Sequence, residues 1–101
     1  MAGVTDLRLD ADTHELIGPL GAVHLGKRLS VIMAHLLDRP GGMTEAELVI
    51  VVWADNPPAD AASALRANLH NLRLALRTVT SRTVIEVSHP ASVYALADAE
   101  H

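Results

Sequence analysis

One segment restricts the folds open to this chain more than any other. Between residues 61 and 78, leucines recur at i, i+4, i+7 and i+11, so they line one side of an α-helix. They are Leu65, Leu69, Leu72 and Leu76. Asp60 precedes them in a position where its side chain can cap a helix. We therefore predict an amphipathic helix from Ala61 to about Thr78, whose leucine side packs on a core.

The core available to that helix must be aliphatic. The chain has 101 residues, 50% of them apolar, with one Trp, one Tyr and no Phe. This length supports one hydrophobic core, so we expect residues 1–101 to form a single domain. Cysteine is absent, which excludes a disulfide framework, a thiolate metal site and a cysteine nucleophile.

Before the first helix the sequence predicts three short strands. Val4–Asp10 alternates apolar and polar residues, as a half-buried strand does. Glu15–Ile17 is predicted to be a second short strand, and Ala22–Leu25 a third. Turn residues separate these strands, so we expect a small antiparallel sheet. A helical pattern then extends from Gly26 to about Asp38.

The next segment has conflicting signals. Thr44 followed by Glu47 forms a capping box, which predicts a helix from Glu45 to Trp53. The β-branched residues within it favour a strand by propensity. Because apolar and polar residues do not alternate there, we interpret the segment as a helix. Pro57 and Pro58 then prevent a straight continuation of that helix.

Two strands, Thr83–Val87 and Val93–Leu96, are predicted to form a hairpin at the C-terminal end. The predicted order is β-β-β-α-α-α-β-β, an α+β chain with an N-terminal sheet. The end of this order is typical of winged helix-turn-helix domains, in which a second helix is followed by a short loop, a third helix and a hairpin. We therefore expect a winged helix in which the hairpin is the wing.

The net charge of −4 argues against a nucleic-acid partner until it is divided along the chain. Residues 1–60 hold four basic and nine acidic residues, and residues 86–101 hold three acidic residues and no basic ones. The intervening residues 61–85 hold four arginines and no acidic residue. The positive charge is therefore confined to the predicted third helix and the approach to the hairpin.

The third helix also orders its polar residues. Arg66, His70, Arg73 and Arg77 form a row about 100° round the helix from the leucines. Further round lie Ser63, Ala67 and Asn71. Such a face suits the major groove, where Arg contacts guanine edges and phosphates, Asn contacts adenine and small residues permit close approach. The alternative interpretation is an ordinary solvated basic face.

Several short motifs resemble the winged-helix DNA-binding domain of the OmpR/PhoB type, and most closely its version in the SARP regulators. The resemblance covers about Leu7 to Leu96, with a Tyr94 where the family's wing has one. Its motifs are Arg39-Pro40-Gly41, Thr44-x-x-Glu47-Leu48, Val52-Trp53, Asp55-Asn56-Pro57-Pro58-Ala59 and Ala64-Leu65-x-x-x-Leu69-x-x-Leu72-Arg73-x-x-Leu76.

The resemblance implies a sequence-specific regulator of transcription that binds double-stranded DNA. Because one short helix reads few bases, we expect it to bind as a homodimer. The resemblance assigns to the recognition helix Ser63, Arg66, Ala67, His70, Asn71 and Arg73. Arg77 becomes a backbone contact, and Arg82 extends the positive face toward the wing. Thr44 would lie at a helix N-terminus where free N–H groups bind a phosphate. The family's wing has a basic residue before the Tyr, whereas the segment 88–93 is uncharged.

A second hypothesis retains the fold and changes the partner. Ile50, Val51 and Leu74 are apolar at positions where the family often has polar residues, and exposed apolar residues can mark a partner surface. The domain would then bind RNA polymerase, another regulator or a second copy of itself instead of DNA.

Other functional classes receive no positive signal. No nucleophile elbow, P-loop or dinucleotide-binding pattern occurs, so we expect no enzyme activity and no cofactor. The six histidines show no metal-ligand spacing, so no metal site is predicted. The longest apolar run is far shorter than a membrane span, and the acidic N-terminal residues do not resemble a signal peptide. We therefore expect a cytoplasmic protein without a membrane partner.

Overall fold

Within residues 6–99, which the computed structural model describes, three helices combine with two small antiparallel sheets. The elements in chain order are β1 (Arg8–Asp10), β2 (Glu15–Gly18), β3 (Gly21–His24), α1 (Gly26–Asp38), β4 (Met43–Thr44), α2 (Glu45–Trp53), α3 (Ala61–Val79), β5 (Thr83–Ser88) and β6 (Val93–Asp98). This arrangement is an α+β winged helix, as the sequence predicts. No helix in these residues is long and apolar enough to span a bilayer.

The N-terminal sheet has the order β1-β2-β3, with each strand antiparallel to the next. The central strand places Leu16 opposite both Leu9 and Val23, and Leu16 is fully buried. Alternation in these strands therefore turns one face of the sheet toward the core. The first two residues of the predicted strand Val4–Asp10 lie outside the described part of the chain.

The second sheet, here called the wing sheet, corrects the predicted element order. Met43 and Thr44 form a short strand, β4, that pairs with Tyr94 and Val93 of β6, so the sheet order is β4-β6-β5. The predicted order contains no strand between the first two helices. A two-residue strand has no detectable alternation of its own, and its partner strand lies far along the chain.

The leucine stripe of α3 forms the centre of the core, as predicted. Leu65, Leu69 and Leu72 have no exposed surface. Around them pack Ile32 and Met33 of α1, together with residues from the other elements. The remaining fully or nearly buried apolar side chains include Leu36, Met43, Leu48, Leu76, Val79, Ile85 and Tyr94. The buried side of α3 thus packs against α1, α2 and strands from both sheets.

Capping determines where the second and third helices begin. The Thr44 hydroxyl accepts the Glu47 N–H at 3.1 Å, and the Glu47 carboxylate accepts the Thr44 N–H at 2.9 Å. This reciprocal pair confirms the predicted capping box, so α2 is a helix despite its β-branched residues. The Asp60 carboxylate accepts the Ser63 N–H at 3.1 Å and caps α3 as predicted. That helix extends to Val79, slightly beyond the predicted end.

A hydrogen-bonded acidic residue joins the N-terminal segment to the connection between α3 and β5. The Asp6 carboxylate accepts from the Thr80 hydroxyl at 2.8 Å and from the Thr83 hydroxyl at 3.3 Å. Both threonines are buried, so these bonds satisfy hydroxyls that would otherwise lose hydrogen bonds to water. The residues that connect α3 to the wing sheet are therefore fixed against the N-terminal segment.

Candidate nucleic-acid interface

The side of α3 opposite the core is exposed and mostly polar, with Leu74 as a large apolar residue on it. The other residues that share it, all exposed, are Ser63, Arg66, Ala67, His70, Asn71 and Arg77. Their spacing of three and four residues keeps them on neighbouring turns of one helix face. Because the 19-residue helix contains no acidic residue, this surface is positively charged. The structure thus brings together six of the residues singled out in the sequence.

Arg66 lies beside a carboxylate that comes from another helix. Its Nη1 atom is 3.3 Å from Oε2 of Glu45, at the start of α2. The Arg66 side chain is 60% exposed, and an ion pair so accessible to water contributes only about 0–1 kcal/mol. The guanidinium can therefore leave this carboxylate or share its other N–H groups with a ligand.

Arg73 has a different environment from Arg66. Its Nε and Nη2 atoms both donate to the backbone carbonyl of Ile85 in β5, at 3.3 and 3.2 Å. The side chain is half-buried between the helix and the hairpin. Sequence analysis assigned Arg73 to the recognition surface on its position in the helix. In the structure it links α3 to the wing sheet, and two of its donors are already engaged.

The start of α2 differs from the expected phosphate site. The Thr44 N–H donates to Glu47, the Glu47 N–H donates to Thr44, and the Glu45 N–H donates to the carbonyl of Ser92 at 3.0 Å. The Thr44 N–H also holds the pKa of the Glu47 carboxyl below its ordinary value. With these N–H groups engaged and two carboxylates in the first turn, the expectation of free N–H groups at Thr44 is wrong.

A cleft of about 290 Å³ separates the exposed face of α3 from the wing. Its lining residues are Glu45, Arg66, Leu69, Arg73, Val87, His89, Ser92 and Tyr94. Two guanidiniums, an imidazole and a carboxylate thus surround a partly apolar floor. Arg82 is also exposed, at the approach to β5, where its N–H donates to the Thr80 hydroxyl at 3.0 Å.

Only part of the expected apolar partner surface is exposed. Ile50 is 64% exposed and Leu74 is 46% exposed, and Leu74 lies on α3 close to its cationic residues. Val51 is half-buried and packs against the core, which excludes it from an exposed patch. Leu20, in the turn between β2 and β3, is 62% exposed and was not identified from the sequence.

Glu45 was not among the site residues predicted from the sequence, where it only begins the predicted second helix. Arg66 is 21 residues away in sequence, and no local pattern predicts that the two side chains meet. Their contact depends on how α2 packs against α3, which is a tertiary property.

No cluster of three or more potential metal ligands occurs among residues 6–99. The partly buried histidines have other neighbours. The Nδ1 atom of His14 is 3.3 Å from the Ser30 hydroxyl, and that of His35 is 2.9 Å from the Val31 carbonyl. Both imidazoles therefore contact residues of α1.

Comparison with known proteins supports the fold. No protein-family model and no curated protein matches the chain. Among solved structures, it is similar to the DNA-binding domain of the response regulator AdeR, determined in complex with an intercistronic region. The match covers 94% of this chain and 96% of that one, with a TM-score of 0.72 and 17% sequence identity. The chain therefore has the winged-helix fold of that domain, and its narrower resemblance to the SARP regulators stays a prediction.

Proposed function

We propose that this domain is a regulator of transcription that binds double-stranded DNA, with α3 in the major groove. The observation that carries the proposal is the exposed face of α3, which is cationic and free of acidic residues. The AdeR domain, which has the same fold, was solved with DNA, and this supports DNA as the partner here. The domain acts in this function by binding, without catalysis or a cofactor.

The chemistry of the helix face suits a groove. The 19 residues of α3 extend about 28 Å at 1.5 Å per residue. Arg66 and Arg77 supply guanidiniums for guanine edges or phosphate oxygens, and Asn71 supplies an amide for adenine. Ala67 lies between them and leaves space for close approach. Ser63, His70 and Arg82 complete the proposed contact surface.

In the proposed complex, the wing flanks α3 and adds no strongly cationic contact of its own. Its turn, residues 88–93, has no Lys or Arg, so it offers no strong attraction to phosphate. Arg73 fixes β5 against α3 and thereby sets the distance between the helix and the turn. Because one short helix contacts few base pairs, we propose that two copies bind neighbouring half-sites.

The test is a fluorescence anisotropy titration with short random-sequence duplex DNA over a range of salt concentrations. Contacts of Arg77 and Arg82 with phosphates predict a slope of log K against log salt of about −1.8. The double variant Arg66→Ala/Arg77→Ala should weaken binding severely and flatten the slope. Arg8→Ala, which removes an exposed arginine from the N-terminal sheet, is the matched control. Equal binding by the double variant and the control would contradict the groove assignment.

A second candidate function is favoured by Leu74. An apolar side chain that is 46% exposed suits a protein interface better than a phosphate backbone. The partner would then be RNA polymerase, another regulator or a second copy of the chain. Absence of duplex binding at about 50 mM salt, where counterion release is strong, would favour this candidate.

A further inference from the structure

We propose that Glu45 is a specificity-determining residue, which suppresses binding of phosphates by Arg66 and leaves Arg66 able to bind the edge of a guanine. This inference rests on the proposed function, because it assigns a role to Glu45 in DNA binding by α3. Three features of the structure support it: the placement of Glu45, its contact with Arg66, and the cleft that both residues line.

Glu45 is anchored through its backbone and is less exposed than its partner. As the first residue of α2, it donates its backbone N–H to the Ser92 carbonyl of the wing at 3.0 Å. Its side chain is 27% exposed, compared with 60% for Arg66. The carboxylate therefore lies deeper between α2 and α3, and the arginine is the member of the pair that reaches toward solvent.

The carboxylate also lies where DNA would approach. Glu45 and Arg66 line the cleft between α3 and the wing, so both face the space that a duplex bound to α3 would cover. A phosphate bound to Arg66 would bring its negative charge close to Glu45. Since the two charges repel each other, Glu45 lowers the affinity of this part of the surface for any DNA backbone.

A guanine edge avoids this repulsion. Its N7 and O6 atoms are neutral acceptors, and they take two parallel N–H donors from one guanidinium. Arg66 has five N–H donors in a planar arrangement, so it can keep a bond to Glu45 while it donates two others to guanine. In this geometry Glu45 orients Arg66 for a base and neutralises its attraction to phosphate.

Glu45→Gln tests the inference, because the amide retains the shape of the side chain and removes its charge. In titrations with random-sequence duplex DNA, we expect this variant to bind about fivefold more tightly than the unmodified protein at low salt. The slope of log K against log salt should steepen by about 0.9, as one more phosphate is neutralised. The matched control, Glu15→Gln, removes the same charge from the N-terminal sheet and should produce no comparable gain.

A double-mutant cycle with Arg66→Gln separates the proposed mechanism from a general effect of net charge. If Glu45 acts through Arg66, then Glu45→Gln should give little gain in the Arg66→Gln background. A full gain in that background would overturn the inference. Since the α2 capping box uses Thr44 and Glu47, we expect Glu45→Gln to fold, and a thermal unfolding measurement checks this. A merely structural role would change the unfolding midpoint and leave the salt slope unchanged.

The outcomes also separate this inference from the proposed function. If the unmodified protein binds duplex DNA and Glu45→Gln binds it with the same affinity and slope, the inference fails and the proposed function stands. If neither protein binds duplex at any salt concentration, both fail. In a selection from randomised duplexes, the unmodified protein should favour guanine at a position where Glu45→Gln is less selective, and equal preferences would overturn the inference.

Discussion

The two sheets of this domain have three strands each, but only one of them keeps its strands in chain order. The N-terminal sheet follows chain order, β1-β2-β3, and short turns connect its strands. The wing sheet has the order β4-β6-β5, so its first strand pairs with a strand from the other end of the domain. Local sequence is therefore enough to predict the first sheet, whereas the second depends on a contact between distant segments.

The sheets also contact different parts of α3. The N-terminal sheet meets the end of the helix, where the Leu20 N–H donates to the Val79 carbonyl at 2.9 Å. The wing sheet meets the cationic part of the helix through the bonds from Arg73 to Ile85. The first sheet thus supports the fold, and the second also positions the proposed DNA-binding surface. Substitutions at the two junctions test this difference.

The largest effect is expected at Gly42, beside β4 in the wing sheet. Its φ is +91°, and a Cβ atom there would lie 2.8 Å from both the Tyr94 carbonyl oxygen and Cγ1 of Val93. Backbone strain and overpacking together predict that Gly42→Ala lowers the free energy of unfolding by about 2–4 kcal/mol. Urea denaturation measures this loss. DNA affinity at a temperature where the variant remains folded should also fall, because the wing shifts relative to α3.

The neighbouring glycine provides the control for that experiment. A Cβ atom at Gly41 would meet no other atom within 4 Å. Gly41→Ala should therefore change the free energy of unfolding by less than about 0.5 kcal/mol, as is usual for surface positions. Equal losses for the two variants would show that the junction of β4 and β6 is not the cause.

A smaller effect is expected at Gly18 in the N-terminal sheet. A Cβ atom there would lie 2.5 Å from the backbone oxygen of Val79, so the hairpin and the helix end must move apart. We predict that Gly18→Ala lowers the free energy of unfolding by about 1–3 kcal/mol. Its DNA affinity, measured on the folded variant, should be unchanged. A loss of affinity as large as that of Gly42→Ala would remove the functional distinction between the sheets.

The smallest effects concern pH, at two carboxyls that accept backbone N–H groups: Asp10 in β1, and Glu47 in α2, whose donor Thr44 lies in β4. Backbone N–H groups of Asp12 and Thr13 hold the pKa of Asp10 below its ordinary 3.8, and that of Thr44 holds the pKa of Glu47 below 4.5. A pKa that is lower in the folded state stabilises the fold above the unfolded-state pKa. That stabilisation is lost as the pH falls through the folded-state value.

Thermal unfolding of Asp10→Asn and Glu47→Gln as a function of pH measures the two contributions. Each variant should unfold at a lower temperature than the unmodified protein at neutral pH. The difference should shrink as acid protonates the native carboxyl below its ordinary pKa. A difference that stays constant down to strongly acid pH would contradict the assigned cause of the pKa shift.

Most of the fold could be predicted because its signals are local. The capping box at Thr44 and Glu47 identified α2 as a helix despite its β-branched residues. Hydrogen bonds to the N–H groups at the start of a helix stabilise it, and the preference of β-branched residues for strands depends strongly on context. The spacing of the leucines predicted the buried side of α3. The pairing of β4 could not be predicted, because a strand that short has neither alternation nor a turn signal to identify it.

The sequence alone determined the three helices, the N-terminal hairpins and the cationic face of α3, because periodicity, capping and charge order are properties of neighbouring residues. Tertiary structure decided which cations remain available on that face. It placed Arg73 against the Ile85 carbonyl, engaged the N–H groups at the start of α2 and brought Glu45 to Arg66. The reason is physical: a helical spacing fixes the direction in which a side chain leaves its own helix, and only packing between elements determines what it meets.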